Sequence, residues 1–285
     1  MKIVIISGKG GTGKTSIGAC YADMSDDQTV KVDCDVDASN LHLMFENNNK
    51  THYPFIGAKV AHINKDLCIG CQNCVEVCRF KALIKADKPI VNELKCEGCG
   101  ACRYVCMASA IKLEKEVTGQ VIMSQTERGH LSYAEMYAGA EGSGKLVTEV
   151  RKQAESLLYK DQLLDGSPGV GCSVIASITD TDVAVVVTEP TFSGLEDMKR
   201  VLDLVKHFNV KPYVIVNKFD INVKNTDLIE AVCNEKDIEV IGRIPFDGLV
   251  KKAINEGVPV SLYKDSIAGK AIKESYDLLQ ERIRI

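Results

Sequence analysis

The chain has 285 residues and a net charge of −4, with 45% hydrophobic and 26% charged residues. This composition is typical of a globular protein and excludes global disorder. The acidic balance argues against a protein held to nucleic acid mainly by phosphate contacts. No apolar run reaches the roughly 18 residues of a membrane-spanning helix, and the amino terminus lacks the long apolar region of a signal peptide. We therefore expect a cytoplasmic protein that binds neither nucleic acid nor membrane.

The first motif follows a short apolar run at residues 2–6, which is typical of a buried parallel strand. The loop after it fits the spacing G-x-x-x-x-G-K-[ST] and reads Gly8, Lys9, Gly10, Gly11, Thr12, Gly13, Lys14, Thr15, followed by Ser16. Glycines let backbone N–H groups curl around phosphates, and a helix predicted over Thr15–Asp23 presents its positive end to them. We expect these residues to bind a nucleotide, with Lys14 reaching its β- and γ-phosphates and the Thr15 hydroxyl binding Mg²⁺.

This loop, with a lysine directly after its first glycine, resembles the deviant Walker A motif of the MinD/ParA/Mrp (SIMIBI) ATPases, a group that includes the nitrogenase iron protein. The resemblance implies ATP or ADP as the nucleotide and an ATP-dependent homodimer, or a heterodimer with a paralogue. In such a dimer Lys9 would reach the nucleotide of the other subunit and act in catalysis together with Lys14.

Two acids end the second predicted strand, where members of this group carry a D-x-D pattern. The resemblance implies that Asp35 orients the attacking water and that Asp33 lies in the Mg²⁺ shell. A carboxylate fits there because hydrolysis needs a water positioned in line with the γ-phosphate. We interpret the next acid, Asp37, as a loop residue or helix cap.

Three later segments are similar to the same group. Asp165 looks like the Walker B aspartate, a further Mg²⁺ residue, and Gly169 would sense the γ-phosphate through its N–H. Asn217, at the end of another strand, would read adenine. Pro245 lies in a segment similar to G-x-I-P-x-D, which would line the base and ribose through its backbone.

The rest of the chain alternates β-branched runs with helical patterns, for example VAVVVTEPT before SGLEDMKRVLDLVKHF. Such alternation predicts βαβ units, and so an α/β fold with a mainly parallel P-loop sheet flanked by helices. Ligands of such sheets bind at the carboxyl ends of the strands.

Eight of the twelve cysteines form two runs with the spacing C-x2-C-x2-C-x3-C. In such paired runs three thiolates of one run and the fourth of the other bind one iron–sulfur cluster. We therefore assign one [4Fe–4S] cluster to Cys68, Cys71, Cys74 and Cys106, and a second to Cys96, Cys99, Cys102 and Cys78. The alternatives are zinc and plain structural thiols, but zinc sites prefer pairs of ligands.

Residues 60–115 resemble a bacterial-type two-cluster ferredoxin and contain an internal repeat. The nucleotide motifs stand on both sides of the cysteines, so this unit is predicted to be an insertion. We expect a P-loop ATPase domain at 1–57 and 116–285, and an inserted α+β ferredoxin-like domain at 58–115. The polar stretch Glu46–His52 is predicted to be an exposed loop near the junction.

The sequence therefore predicts a slow ATPase, stimulated by its partner, that carries two iron–sulfur clusters. The leading hypothesis is that the nucleotide state of a dimer controls electron transfer, or metal-cluster assembly and delivery, to an electron-acceptor or metallocluster protein. The alternative is a MinD/ParA-like positioning or scaffold ATPase with structural or redox-sensing clusters.

Three features stay open at this stage. Cys172 follows Asp165 closely and is either a bridging metal ligand or a buried small hydrophobe. The loop Gly142–Lys145 is either a helix entry or an anion site. The carboxy-terminal helix, predicted over Asp265–Ile285, has balanced charges, which favours packing on the core over membrane targeting.

Overall fold

A computed structural model describes residues 1–140 and 142–284. Glu141 and Ile285 lie outside the described residues, and Ile285 is the predicted end of the last helix. The strands are β1 Lys2–Ser7, β2 Thr29–Asp33, β3 Asn48–Phe55, β4 Ala58–Ile63, β5 Leu83–Ile84, β6 Ile90–Val91, β7 Ile111–Glu116, β8 Gly119–Thr126, β9 Gly129–Met136, β10 Asp161–Pro168, β11 Val183–Thr188, β12 Lys211–Asn217 and β13 Val240–Ile244. The α-helices are α1 Lys14–Met24, α2 Asn73–Glu76, α3 Ala101–Tyr104, α4 Ser143–Glu155, α5 Cys172–Ile178, α6 Phe192–His207, α7 Val223–Glu235, α8 Gly248–Glu256 and α9 Ile267–Ile283.

The chain forms two compact units. The first contains residues 1–53, 121–135 and 143–285, and the second contains residues 54–120 and 136–142. The second unit thus extends beyond 58–115 on both sides and takes in a short later segment that the cysteine pattern does not mark.

The first unit is built on a sheet with the strand order β13-β12-β11-β1-β10-β2-β9-β8-β3. The pairs from β13 to β9 are parallel, as the alternating pattern predicts. The central strands are buried on both faces; every residue of β11 is buried. The order of connections reverses beside β1, and ligands of such sheets bind in the crevice at a reversal of this kind.

One sequence expectation was wrong in this unit. Residues 48–52 are exposed, as predicted, but they belong to strand β3 and not to a loop. The strand lies at the edge of the sheet, where side chains meet solvent on both faces, so polar residues are tolerated there. The hairpin of β8 and β9 was not predicted at all.

Helix α9 packs against β13 and α1, which confirms the prediction of core packing. Ala268, Ile272 and Leu279 form its buried face. The Tyr21 and Ser275 hydroxyls hydrogen-bond at 3.0 Å inside this contact. Among the described residues, no helix is both long and apolar enough to cross a membrane.

The second unit is small and built around its cysteines. Strands β4 and β7 pair antiparallel from Ala58 opposite Glu116 to Ile63 opposite Ile111, and β5 pairs antiparallel with β6. Its apolar core consists of Ala61, Cys74, Leu83, Cys102 and Ile111. Two of the eight cysteines, Cys74 and Cys102, thus form part of the apolar core of this unit.

Candidate functional site

The glycine-rich loop joins β1 to α1 and leaves an open cradle. Gly11 and Gly13 have φ values of +80° and +90°, which favour glycine. A Cβ added to Gly10 or Gly11 would meet no described heavy atom within 4 Å. Helix α1 starts without a side-chain cap or an acid in its first turn, so its first N–H groups and its dipole can act on an anion.

Lys14 is a buried cation in this cradle and is surrounded by acidic side chains. Its ammonium lies 2.7 Å from Asp165 Oδ1 and 3.8 Å from Asp35 Oδ2, and 3.3 Å from Thr15 Oγ1. Burial lowers the pKa of Lys14, but the charges of Asp165, Asp35 and Asp33 outweigh this effect and leave the pKa above its ordinary value. The lysine therefore stays charged and neutralises a cluster of carboxylates.

Asp33 ends β2 and is fully buried. Its carboxylate accepts hydrogen bonds from the N–H groups of Asp35, Asn40 and Leu41 at 3.0–3.1 Å and from the Ser39 hydroxyl at 2.8 Å. Burial and the charge of Asp165 raise the pKa of Asp33 to about 7. These bonds hold the loop that follows β2, so Asp33 shapes the position of Asp35.

Asp35 lies in that loop and is partly exposed. Burial, Asp165 and Asp37 raise its pKa, against the attraction of Lys14. A carboxylate with a raised pKa beside a phosphate cradle can accept a hydrogen bond from a water or take up its proton.

Two buried polar atoms in the cradle lack a partner. Within the described residues, Asp165 Oδ2 and Thr12 Oγ1 have no hydrogen bond. Buried polar atoms are normally satisfied, so an orphaned pair beside a lysine and a helix amino terminus marks a site for a further group. The residues present therefore fit a Mg²⁺-bound nucleotide, which would bring phosphate acceptors and a cation with its water shell.

Lys9 is held by contacts within its own chain. Its ammonium lies 2.7 Å from Glu189 Oε1 and 2.9 Å from Ser193 Oγ, and Lys218 approaches the other oxygen of Glu189 at 3.5 Å. Burial raises the pKa of Glu189, but these two lysines outweigh it and leave the pKa below its ordinary value. A role for Lys9 across a dimer would require this ion pair to open.

Asn217 lies against the loop. Its side-chain amide donates to the Thr12 carbonyl at 2.7 Å, and a Cβ on Gly13 would lie only 2.2 Å from its Nδ2. Pro245 is half-buried and follows β13. Its neighbour Phe246 donates its N–H to Asp220 at 2.8 Å, which joins this segment to the turn after Asn217.

Gly169 is already bonded in this structure. Its N–H donates to the Ser7 carbonyl at 2.8 Å, and its φ is +95°. It can bond a γ-phosphate only after this contact breaks.

Cys172 is exposed, so its interpretation as a buried small hydrophobe was wrong. Gly144 packs on it, since a Cβ there would lie 3.2 Å from the Cys172 Cβ.

The eight clustered cysteines line two small cavities of about 20 Å³ each. The first cavity is lined by Cys68, Cys71, Cys74 and Cys106, and the second cavity is lined by Cys78, Cys96, Cys99 and Cys102. The two groupings coincide with the sets expected from the spacing. In the part of the chain described, no three Cys, His, Asp or Glu side chains converge closely enough to hold one metal ion.

The backbone around the cavities repeats at an offset of 28 positions, from Cys78 to Cys106. Ala82 donates its N–H to Cys78 Sγ and Ala110 donates to Cys106 Sγ, both at 3.3 Å. Positive φ values recur at the same offset in the pairs Gly70 and Gly98, Gln72 and Gly100, and Lys81 and Ser109. In the second set, Cys96 Sγ also accepts a hydrogen bond from Ala61 N–H at 3.4 Å.

Residues 3–260 match the model of the CobQ/CobB/MinD/ParA nucleotide-binding domain. The chain belongs to this family. It is 35% identical to an uncharacterized protein of Methanocaldococcus jannaschii over 99% of this chain and 98% of that protein. It is 26% identical to the septum site-determining protein MinD of Buchnera aphidicola, over 97% of this chain and 90% of that protein.

The fold is also that of MinD. The structure of the septum site-determining protein MinD from Pyrococcus horikoshii, complexed with Mg-ADP, superimposes with a TM-score of 0.58 at 19% identity, covering 99% of this chain and 96% of that one. The chain is therefore a MinD/ParA-type P-loop protein with an α/β fold and a mostly parallel central sheet, as the motifs predicted.

Sequence reasoning missed the groups that hold the motif residues in place. Glu189 and Lys218 follow strands β11 and β12, and Ser39 lies after Asp33. Nothing in the spacing of Glu189 and Lys218 marks them, because they become neighbours of the motif only through the order of strands in the sheet. Ser39 instead contacts Asp33 within the loop that follows β2. Residues that directly follow strands in the core would have been the best candidates.

Proposed function

We propose that this protein binds and hydrolyses Mg-ATP at the cradle between β1 and α1. Gly8–Gly13 and Ser16 would surround the phosphates, Lys14 would neutralise them, and Thr15, Asp33 and Asp165 would hold Mg²⁺ directly or through water. Asp35 would orient the attacking water. The supporting observation is the buried Lys14 between Asp165 and Asp35, with Asp165 Oδ2 and Thr12 Oγ1 unpartnered among the described residues.

We further propose that the second unit is the inserted ferredoxin-like domain predicted at 58–115 and that it binds two [4Fe–4S] clusters. The support is the division of eight cysteines into two sets of four, each around its own cavity. A bound cluster would supply one-electron redox chemistry, and the four thiolates of each set would hold it. The chain's part is to hold the thiolates in place and to donate N–H groups to them.

The combination supports a dimeric ATPase whose nucleotide state controls electron transfer or cluster delivery to a metalloprotein. One experiment tests both the presence of the clusters and their coupling to the nucleotide state: EPR of anaerobically purified, dithionite-reduced protein with and without Mg-ATP. We expect two interacting [4Fe–4S]⁺ signals that change with Mg-ATP. A protein that binds no iron would overturn the cluster proposal, and two signals indifferent to ATP would overturn the coupling.

The second candidate is a MinD/ParA-like positioning or scaffold ATPase with structural or redox-sensing clusters. The similarity to MinD over 97% of this chain favours it. This function predicts ATP-dependent assembly on a surface or polymer that persists when the clusters stay oxidised. Sedimentation of the oxidised protein with Mg-ATP, Mg-ADP and no nucleotide distinguishes it from the first candidate.

Replacing Glu189 by Gln should promote ATP-dependent dimerisation. The substitution releases Lys9 from its ion pair, and a partly exposed pair contributes up to about 1 kcal/mol, or roughly fivefold in the ATP concentration needed. Analytical ultracentrifugation across an ATP titration measures this shift. The control is Glu196→Gln on α6, which removes an ion pair with Lys199 and not with Lys9. Unchanged or weaker dimerisation of the Glu189 variant would contradict a cross-dimer role for Lys9.

The two clusters should have different reduction potentials. Among the described residues, Cys78 and Cys106 each accept one N–H at matching positions, whereas Cys96 of the second set accepts a further N–H from Ala61. Hydrogen bonds to sulfur stabilise the added negative charge, so the cluster at the second cavity should be reduced first. An EPR-monitored redox titration should show two steps, and a variant that keeps only the second cluster should retain the step at higher potential. A single midpoint for both clusters would refute this order.

A further inference from the structure

The hairpin of β5 and β6 carries an unusual surface in the second unit. We name it the hairpin patch; it consists of Arg79, Phe80, Lys81, Ile84, Lys85 and Ile90, all exposed. Ile84 and Ile90 are directly paired across the hairpin, so their side chains lie together on one face. They are 51% and 50% exposed, and Phe80 is 42% exposed. The exposed pair of Ile84 and Ile90 indicates an interaction surface.

The charge around this patch is opposite to that of the whole protein. Residues 79–95 contain five lysines and arginines and two acids, whereas the chain has a net charge of −4. Positive charge along the segment that carries the exposed isoleucines attracts an acidic partner and steers its approach. The occupant is therefore expected to be acidic with an apolar contact of its own.

The hairpin also forms part of the wall of both cavities. Ala82 and Leu83 line the second cavity and Pro89 lines the first cavity. Phe80 lines the second cavity while its ring is partly exposed, so this side chain connects the cavity wall with the surface. A protein docked on the hairpin patch would lie beside both cysteine sets.

We infer that the hairpin patch is the docking surface for a small acidic electron-transfer protein that exchanges electrons with the second unit. The inference rests on the proposed clusters, because without them the patch would have no redox group behind it. Complementary charge brings the acidic partner to Arg79, Lys81 and Lys85, and Ile84 and Ile90 make the apolar contact. A cluster held by either cysteine set would accept one electron from the reduced partner, or give one to the oxidised partner.

The test uses the full-length, cluster-loaded protein and a purified bacterial ferredoxin of strongly negative net charge as the probe. We expect binding at about 50 mM salt that weakens at about 300 mM, because salt screens the charge attraction. The variant Arg79→Glu/Lys85→Glu should weaken binding about tenfold or more, mainly through a slower association rate. The variant Ile84→Thr/Ile90→Thr should raise the dissociation rate and leave the salt dependence intact.

The matched control is Lys112→Glu/Lys251→Glu, which makes the same change in net charge outside the patch. Lys112 lies between Ile111 and Leu113 on β7; those two residues line the cavities, so the Lys112 side chain points to the opposite face of the strand. Lys251 is exposed on α8. Equal weakening in both variants, no binding of the ferredoxin, or equal binding of a basic cytochrome c would overturn the inference. Binding of anionic phospholipid vesicles in place of the ferredoxin would overturn it as well.

Iron content and EPR of every variant separate this inference from the proposed function. If the wild-type protein holds no cluster, the proposed function fails. If the clusters are intact and the charge-reversed variant binds the ferredoxin as tightly as wild type, only the docking surface fails.

Discussion

Replacing Cys68 and Cys106 together by Ala should remove one cluster and leave the other. These residues lie in different sequence runs but line the same cavity. We expect iron to fall from about eight to about four atoms per chain, because one set of four thiolates stays complete. The paired variant Cys68→Ala/Cys78→Ala also removes two cysteines but damages both sets, and it should lose nearly all iron. Iron and acid-labile sulfide analysis after anaerobic reconstitution measures both.

Comparing the two double variants tests whether each cluster takes three thiolates from one cysteine run and the fourth from the other. If each run held its own cluster, the results would be reversed, with Cys68→Ala/Cys78→Ala keeping about four iron atoms. Cys172→Ala serves as the control, since Cys172 is exposed and lines neither cavity. Equal iron in both double variants would contradict the assignment made here.

Replacing Lys14 by Met should abolish ATP hydrolysis and also destabilise the nucleotide-free protein. The loss of a group that neutralises the phosphates should lower the hydrolysis rate at least about a hundredfold. The same change leaves the buried Asp165 without its cation, and breaking a buried pair in this way costs about 3–5 kcal/mol. Chemical denaturation at pH 8 without nucleotide measures the second effect.

This loss of stability should depend on pH. The charge of Lys14 lowers the pKa values of Asp33 and Asp35, which burial raises, so its removal raises both further. A carboxyl group whose folded pKa lies above its unfolded value binds more protons when folded, and its contribution to stability falls as pH rises through that interval. The variant should therefore lose less stability at pH 5 than at pH 8.

Lys9→Met is the matched control for both measurements of stability. It removes a lysine from the same loop whose partner Glu189 is only partly buried, so the cost should stay below about 1 kcal/mol at both pH values. An Lys14 variant as stable as this control at pH 8, or one with the same loss at pH 5 and pH 8, would contradict the proposed charge balance.

The two chemical motifs and the class of fold could be predicted from the amino-acid sequence. A loop of glycines before Lys14 and a repeated cysteine spacing have local geometries that few other functions require. The alternation of β-branched runs with helical patterns determined a parallel sheet, because each pattern reflects which faces of a short segment are buried. The grouping of the eight cysteines into two sets also followed from spacing alone.

Other features depend on contacts between residues that are far apart in the sequence, and these contacts form only when the whole chain folds. Residues 48–52 form a strand because β8 lies beside them, although their own side chains favour a loop. Lys9 meets Glu189, and Asp165 meets Lys14, because β11 and β10 flank β1 in the sheet. The hairpin patch exists because β5 pairs with β6 and places Ile84 beside Ile90 on an exposed face. Strand order and register are set by packing over the whole chain, so no local pattern records which distant residues become neighbours.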